Sequence, residues 1–166
     1  DTSATDSTNQ IVIGYDVTSA GNTTFTFGTG GTDTACTSGA TTWSNPSDKR
    51  IKKDIETSLL GLSFINDLRP VTFKYKAKGE LPEWHKDYQK DSSEPYRNDK
   101  TNHGYIAQEV KEAMDKAGGD IKDGYEGWGV NEHNDLQRVG EGAFVGALVK
   151  AVQELSAKVK ALEDAQ

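Results

Sequence analysis

The sequence has few of the residues that mark several common classes of protein. Its 166 residues include one cysteine, one methionine and four prolines. A single cysteine excludes an internal disulfide and a cysteine metal site, so we interpret Cys36 as a buried or incidental thiol. No run of 18 apolar residues occurs, and the first residues lack a basic stretch followed by an apolar one. We therefore expect neither a membrane span nor a signal peptide.

Basic residues are absent from the first part of the chain. Residues 1–46 hold four Asp and no Glu, Lys or Arg, whereas residues 47–166 hold all 19 basic and the other 22 of the 26 acidic residues. This change predicts two unlike parts that meet between positions 46 and 47. The net charge of −7 argues against a nucleic-acid partner, which would need a basic patch. The three histidines, His85, His103 and His133, lack ligand-like spacing, so we expect no metal and no cofactor.

Two short alternating runs in the first part repeat at a spacing of 14 residues. Ile11-Val12-Ile13-Gly14 aligns with Phe25-Thr26-Phe27-Gly28, which predicts two strands, each followed by a turn at its Gly. So few apolar residues cannot fold alone. We interpret residues 1–46 as the C-terminal end of a β-rich shaft whose chains share a core; a disordered linker is the alternative.

The second part, residues 47–166, predicts a mixture of helices and strands, so that the chain as a whole is α+β. One apolar face with a spacing of three or four residues predicts a helix that ends at Arg69-Pro70, and it consists of Ile55, Leu59, Leu62, Ile65 and Leu68. Alternation at Val71, Phe73 and Tyr75 then predicts a strand. Further along we expect a short strand at Gly104–Ala107, a helix at Gln108–Lys116 and a short strand at Trp128–Val130.

Residues 76–100 separate the first of these strands from the next. They contain 12 charged side chains among 25 residues, together with Trp84, Tyr88 and Tyr96. Such a segment cannot form a core of its own, so we expect either a mobile loop or a long arm that becomes ordered against another subunit.

The C-terminus has the clearest periodicity, and we expect a helix at about 142–164. Valine and leucine alternate at a 3-4 spacing, with Val at each a position and Leu at each d position of a heptad: Val145, Leu148, Val152, Leu155, Val159 and Leu162. The pattern favours a self-associating, coiled-coil-like helix, although an amphipathic helix on its own domain is the alternative. Val at a with Leu at d alone favours two strands over three, so the heptads do not fix the order of the oligomer.

Four motifs occur in a fixed order after position 46. They are Ser47-Asp48-Lys49-Arg50-Ile51-Lys52, Leu68-Arg69-Pro70-Val71-Thr72-Phe73, Gly104-Tyr105-Ile106-Ala107-Gln108-Glu109-Val110 and Leu148-Val149-Lys150-Ala151-Val152-Gln153-Glu154-Leu155. Together they resemble the C-terminal intramolecular chaperone of phage tail spikes and tail fibres, the peptidase S74 family. Residues 1–46 resemble the β-rich shaft that precedes such domains.

The resemblance implies a homotrimer that drives the folding of an intertwined shaft of the triple β-helix type and releases itself by autocleavage. It pairs Ser47 as nucleophile with Lys52 as base and places the scissile bond between Pro46 and Ser47. Lysine can activate a serine hydroxyl when it is neutral. Asp48, Arg50 and His103 are candidates for supporting roles. In the alternative reading, Ser47 and Asp48 are cap or turn residues, and Lys52 and Lys53 are solvated charges.

The sequence therefore predicts an intramolecular chaperone with the shaft of the same polypeptide as its partner, present in a virion tail-fibre precursor in the host cytoplasm. Residues 76–100 are candidate shaft-contacting arms, with Trp84, Tyr88 and Tyr96 as contact points. Two alternatives remain open. One is a receptor-binding fibre tip in which these aromatic side chains bind glycans, and the other is a permanent trimerisation domain that does not cleave.

Overall fold

The chain divides into two units, Asp1–Glu56 and Thr57–Gln166. The computed structural model describes residues 8–30, 33–118 and 127–166. The first unit is a small β structure, and the second contains three helices and four short strands among its described residues. This combination confirms the α+β class. The division falls after Glu56, whereas the change in composition lies at position 46, and the predicted domain boundary stays a prediction.

The sheet of the first unit follows the 14-residue repeat. Its strands are β1 (Ile11–Gly14), β2 (Thr24–Gly28) and β3 (Thr34–Thr37), in that order across the sheet. β1 and β2 run parallel, with Ile11 opposite Phe25 and Ile13 opposite Phe27, and β3 returns antiparallel to β2. The two copies of the repeat are thus neighbouring strands in register, which confirms both predicted strands.

Gly14 ends the first copy of the repeat in a conformation that requires glycine. Its φ is +139°, and a Cβ placed there would lie 2.0 Å from the carbonyl oxygen of Gly28. Both facts exclude a larger residue without a shift of the backbone. The glycines of the repeat therefore allow the two parallel strands to turn at the same level.

The two faces of this sheet differ in exposure. On one side Thr26 is almost fully buried, and Val17 and Ser19 are buried as well. On the other side Ile11 and Ile13 are each 59% exposed, and the indole of Trp43 meets the ring of Phe27 edge-on at 5.4 Å. The first unit thus leaves an apolar face uncovered by its own described residues.

The second unit is organised around three helices and two antiparallel strand pairs. The helices are α1 (Leu62–Asp67), α2 (Ala107–Lys116) and α3 (Phe144–Glu163). β4 (Val71–Phe73) pairs with β5 (Asn102–Gly104), and β6 (Trp128–Val130) pairs with β7 (Gln137–Val139). The predicted helix near the C-terminus and the predicted strand at Trp128–Val130 are confirmed.

The core of this unit forms where the three helices meet. Phe64 and Met114 are fully buried and Val110 is nearly so, with Phe144 packed beside them. The rings of Phe64 and Phe144 lie edge to face, with centroids 5.8 Å apart. Such aromatic pairs contribute about 0.5–1.5 kcal/mol beyond the area they bury. This contact holds α1 against α3.

Three predicted elements have different bounds in the structure. The helix predicted to include Ile55 and Leu59 begins only at Leu62; both side chains are 63% exposed, and a positive φ of 51° at Asp54 breaks the pattern before them. The strand expected at Gly104–Ala107 lies at Asn102–Gly104, because α2 already begins at Ala107. β4 ends at Phe73, although the alternating burial continues to Tyr75.

Glu154 fixes the start of α1 from a position 92 residues further along the chain. Its carboxylate accepts a hydrogen bond from the backbone N–H of Leu62 at 2.9 Å and an ion pair from Lys150 at 3.2 Å. The first N–H groups of a helix have no partner within the helix, so an acceptor there stabilises the helix start. The bond from Leu62 and then the one from Lys150 lower the pKa of Glu154.

Glu154 should therefore make the stability of the second unit depend on pH. Because its folded-state pKa lies below its unfolded value, its contribution is present above the unfolded pKa of about 4.3 and is lost as the pH falls through the folded pKa. We expect Glu154→Gln to have a lower melting temperature than the wild type at pH 7. The difference between the two melting temperatures should shrink as the pH drops to about 3. Circular dichroism at 222 nm measures both.

Glu163→Gln, at the end of α3, is the matched control. Other carboxylates titrate in all three proteins and cancel in the differences. A Glu154→Gln deficit that stays constant from pH 7 to 3 would contradict the proposed cap.

Candidate functional site: a serine–lysine turn

A tight turn brings the candidate catalytic residues together. A single 3₁₀ turn spans Lys49–Ile51, and Asp48 caps its start by accepting a bond from the backbone N–H of Arg50 at 2.8 Å. The N–H of Ile51 bonds to the carbonyl of Asp48 at 3.1 Å, and that of Lys52 bonds to the carbonyl of Lys49 at 3.2 Å. Asp is a preferred cap because its short side chain reaches backbone donors two residues on.

The turn places Lys52 beside Ser47. The Nζ of Lys52 lies 2.6 Å from the Oγ of Ser47, within hydrogen-bond distance. In an extended chain five residues would separate these positions by roughly 17 Å. The contact is therefore a consequence of the turn and does not depend on the core of the second unit.

Arg50 is engaged with Asp48 by both arms of its guanidinium. The distances are 2.9 Å from Nε to Oδ1 and 2.7 Å from Nη2 to Oδ2. These side-chain bonds, followed by the backbone bond, lower the pKa of Asp48, and the same pairing raises the pKa of Arg50. The charge of Arg50 is directed toward Asp48, and this pair stabilises the turn that presents Ser47 and Lys52. A supporting role of either residue in the reaction stays a prediction.

The arrangement contains the groups needed for acyl transfer. A serine hydroxyl becomes a nucleophile when a nearby base takes its proton, and a neutral lysine amine can act as that base. The carbonyl of Pro46 is the one adjacent to Ser47 in the chain, and residues 46–53 are exposed, so water has access.

His103 lies in the other unit, on β5 opposite Thr72. It is exposed and lines a cavity of about 420 Å³ that also includes Tyr105 and Glu141. The local turn thus contains Ser47, Asp48, Arg50 and Lys52, but not His103. Sequence reasoning had no indication of Glu141, whose proximity to His103 arises from the fold.

The heptad positions of α3 form an exposed apolar stripe. Their exposure ranges from 46% at Leu155 to 68% at Leu162. The helix instead packs on its own domain through Phe144, Ala147 and Ala151, which are all buried. The helix therefore packs on its own domain through one face, while the heptad side chains are exposed among the described residues. Self-association through the heptad seam stays a prediction.

The second half of α3 extends beyond the core. Every side chain from Leu155 to Gln166 is exposed, although helical structure continues to Glu163. A helix of this length is only marginally stable in water without packing. Its Val and Leu side chains each gain about 1.5–3 kcal/mol when they become fully buried. The geometry suits a partner helix along this seam.

The candidate arm, residues 76–100, is ordered within one chain. Its ends are joined by a bridge between Ala77 and Pro95, by a bond from the Lys78 N–H to the Glu94 carbonyl at 2.8 Å and by one from the Tyr96 N–H to the Lys76 carbonyl at 2.9 Å. These backbone bonds, which the charge content did not reveal, replace the expected mobile loop or subunit-dependent arm.

The aromatic side chains of this segment differ in exposure. Trp84 is 59% exposed, whereas Tyr88 and Tyr96 are half-buried. Tyr96 packs against the ring of Tyr75 at 5.9 Å and that of His85 at 5.1 Å. Trp84 is thus the contact residue most available to a partner.

The described ranges contain neither a membrane-spanning helix nor a cluster of metal-binding residues. No helix there is long and apolar enough to cross a membrane. Within the same ranges, no group of three or more His, Cys, Asp and Glu residues has the arrangement needed to hold a metal ion.

Comparison with known protein families gives a match that begins at the serine of the turn. The family model Peptidase_S74, described as the chaperone of endosialidase, matches residues 47–119. No curated protein and no solved structure matches the chain. The match begins at Ser47 and includes Lys52, the strand pair β4–β5 and helix α2. Residues 47–119 thus match the chaperone-of-endosialidase family, and this match supports the expected intramolecular chaperone domain.

Proposed function

We propose that this chaperone domain assembles three copies of a phage tail fibre or tail spike, templates the folding of their β-rich shaft and then separates itself by cleavage before Ser47. The 2.6 Å contact between Lys52 Nζ and Ser47 Oγ carries the proposal for cleavage. The protein would act as a fibre precursor in the host cytoplasm during virion assembly.

The reaction uses one bond of the chain itself. The amine of Lys52, as general base, takes the proton of Ser47 Oγ as the oxygen attacks the carbonyl carbon of Pro46. The C–N bond between Pro46 and Ser47 then breaks, the amide nitrogen receives the proton, and the Pro46 acyl group is held as an ester on Oγ. Water hydrolyses the ester and releases a carboxylate at Pro46 and an amine at Ser47. Adjacency in the chain supplies proximity, so the turn needs to add only orientation and a base.

Assembly would precede shaft folding. Bringing three shaft strands into register is slow because loop and chain entropy must be lost before long-range contacts form. A domain that trimerises first raises the effective concentration of the three strands. The free Val and Leu seam of α3 supports this role, since its six heptad side chains are exposed in one copy. The loop that contains Trp84 is the proposed contact with the nascent shaft.

Ser47→Ala and Lys52→Ala should both block self-cleavage. The wild type is expected to convert with time into fragments 1–46 and 47–166, whereas loss of the nucleophile stops the reaction. Loss of the general base should slow it by about 10²–10⁴-fold. Intact mass spectrometry after prolonged incubation measures the fragments, and sedimentation checks that both variants still form the wild-type oligomer.

Ser44→Ala and Lys53→Ala are the matched controls, since both residues are exposed neighbours of the same types. Cleavage that persists in Ser47→Ala would disprove the assignment of the nucleophile. A wild type that stays intact would favour the permanent trimerisation domain.

Charges on the α3 seam should dissociate the oligomer. In Leu155→Lys/Val159→Lys, two lysines would be buried in the proposed interface, which costs several kcal/mol per desolvated charge. We expect the double variant to sediment as a monomer with an intact second unit. The control places the same charges on other exposed positions of α3, in Gln153→Lys/Ala157→Lys. An unchanged trimer in Leu155→Lys/Val159→Lys would show that other surfaces assemble the protein.

Replacing residues 80–98 with a Gly-Ser bridge should lower the yield of protease-resistant shaft without unfolding the domain. The segment contributes none of the buried core side chains, so the melting temperature of the helices should change little. Limited proteolysis followed by mass spectrometry quantifies the shaft. A deletion variant that yields as much resistant shaft as the parent would remove the loop from the folding mechanism and favour the receptor-binding tip.

A further inference from the structure

A cavity of about 670 Å³ opens in the second unit between the 76–100 loop and the hairpin of β6 and β7. One wall is aromatic and consists of Tyr75, Trp84, His85 and Tyr96. The opposite wall comes from the turn and the second strand of the hairpin, residues 131–138. The proposed chaperone chemistry uses none of the hairpin residues, and the cavity is defined by this unit alone.

The amide side chains of the hairpin wall have their oxygens occupied. Each of the three amide oxygens accepts a bond from a nearby donor: Asn131 from the N–H of His133 at 2.9 Å, Asn134 from the N–H of Leu136 at 3.2 Å, and Gln137 from the indole of Trp128 at 3.0 Å. The NH₂ group of each amide is the part that remains for a ligand. This wall therefore offers donors.

The other polar groups of the cavity are donors as well. The Nδ1 of His85 accepts the backbone N–H of Asp87 at 3.2 Å, so the neutral imidazole carries its hydrogen on Nε2. Lys86, Arg97 and Arg138 add three cations. Among the described residues none of them forms an ion pair with a carboxylate, while Arg97 donates a hydrogen bond to the hydroxyl of Tyr75 at 3.5 Å. Arg97 lies over the ring of Tyr75 at 5.5 Å, which leaves its planar group along the aromatic wall.

The composition of the walls defines the ligand. None of the described residues that line the cavity is Asp or Glu, although the carboxylate of Asp87 lies 3.9 Å from Nδ1 of His85. A negatively charged ligand with many acceptors therefore meets mainly donors on both sides. The exposed indole of Trp84 offers a flat apolar face. The ligand should therefore combine carboxylates, further oxygen acceptors and a flat, weakly polar face.

A saccharide meets these conditions better than a peptide. A peptide presents a fixed N–H at each residue, and an N–H held against a wall of donors loses its partner. A sugar hydroxyl can accept with its lone pairs and turn its own hydrogen to water. Among the described residues of the lining, Leu136 is the only one with an aliphatic side chain, so this part of the cavity offers little to apolar side chains of a peptide.

We propose that this cavity is a binding site for an acidic, carboxylate-bearing saccharide, with Trp84 as the stacking platform and Arg138 and Arg97 as the carboxylate partners. The site does not depend on self-cleavage or on the α3 seam. Shaft yield and saccharide binding are separate measurements, so this proposal and the proposed chaperone function can fail independently.

Isothermal titration of the full chain tests the site with trigalacturonate, which carries three carboxylates. We expect saturable binding at concentrations on the order of 1 mM or below, and at least about tenfold weaker binding of the neutral trimethyl ester. Trp84→Ala and Arg138→Gln should each weaken trigalacturonate binding about tenfold. Arg138→Lys should bind more tightly than Arg138→Gln, because lysine keeps the positive charge but lacks the paired N–H donors of the guanidinium.

Trp43→Ala and Lys160→Gln serve as controls for the loss of an exposed indole and of an exposed cation elsewhere, and they should bind as the wild type does. Circular dichroism confirms that each variant is folded. Absence of binding at about 10 mM would overturn the proposal, as would equal affinity for the ester. Acetylated triglutamate amide has the same charge, and its binding as tightly as trigalacturonate would identify an acidic-peptide site instead.

Discussion

The edge-to-face contact of Phe64 with Phe144 is the interaction on which the second unit depends. It joins the short helix α1 to the base of α3, and Tyr105 meets Phe144 from another side at 5.3 Å. Phe144, Ala147 and Ala151 lie on one face of α3, and this face packs on the core. The heptad side chains lie on the adjoining side of the helix, and those from Leu155 onward are exposed because the helix extends beyond the core. Because Glu154 on α3 also caps α1, the helix that presents the seam holds the domain together at its other face.

The serine–lysine turn has a different physical basis. Its contacts lie within six residues, from Ser47 to Lys52, and use a capping carboxylate, two backbone bonds and one ion pair. None of these contacts involves the aromatic core, so the geometry of the turn does not require the helices. A site of this kind can be altered at Ser47 or Lys52 while the remaining domain keeps its fold. The proposed cleavage site and the proposed assembly surface are therefore separable parts of one chain.

Local patterns predicted the elements that local forces determine. The 14-residue repeat anticipated the strands β1 and β2 but not their pairing with each other, and the heptads anticipated α3 nearly to its ends. Spacing alone could not decide whether Ser47 and Lys52 meet, since the contact needs the cap supplied by Asp48. The late start of α1 could not be foreseen either, because its cap comes from Glu154, far along the chain. The composition of the loop after Tyr75 gave no sign of ordered structure. The loop is held together by backbone hydrogen bonds between its two ends, and composition does not reveal such bonds. The donor-lined cavity requires two segments, around positions 85 and 137, that only the fold brings together.

In the first unit, the in-register pairing of the repeat fixes how many residues the chain uses for each added strand of the sheet. Fourteen residues would reach roughly 48 Å when extended, yet one repeat advances the sheet by a single strand spacing of about 4.8 Å. A structure built in this way becomes wider by one strand spacing for each repeat, and it grows in steps of whole repeats. An insertion of one residue would turn every side chain after it to the opposite face of its strand and would displace Gly14 or Gly28 from the position where only glycine fits. The length of a β structure built in this way should therefore vary in units of its repeat.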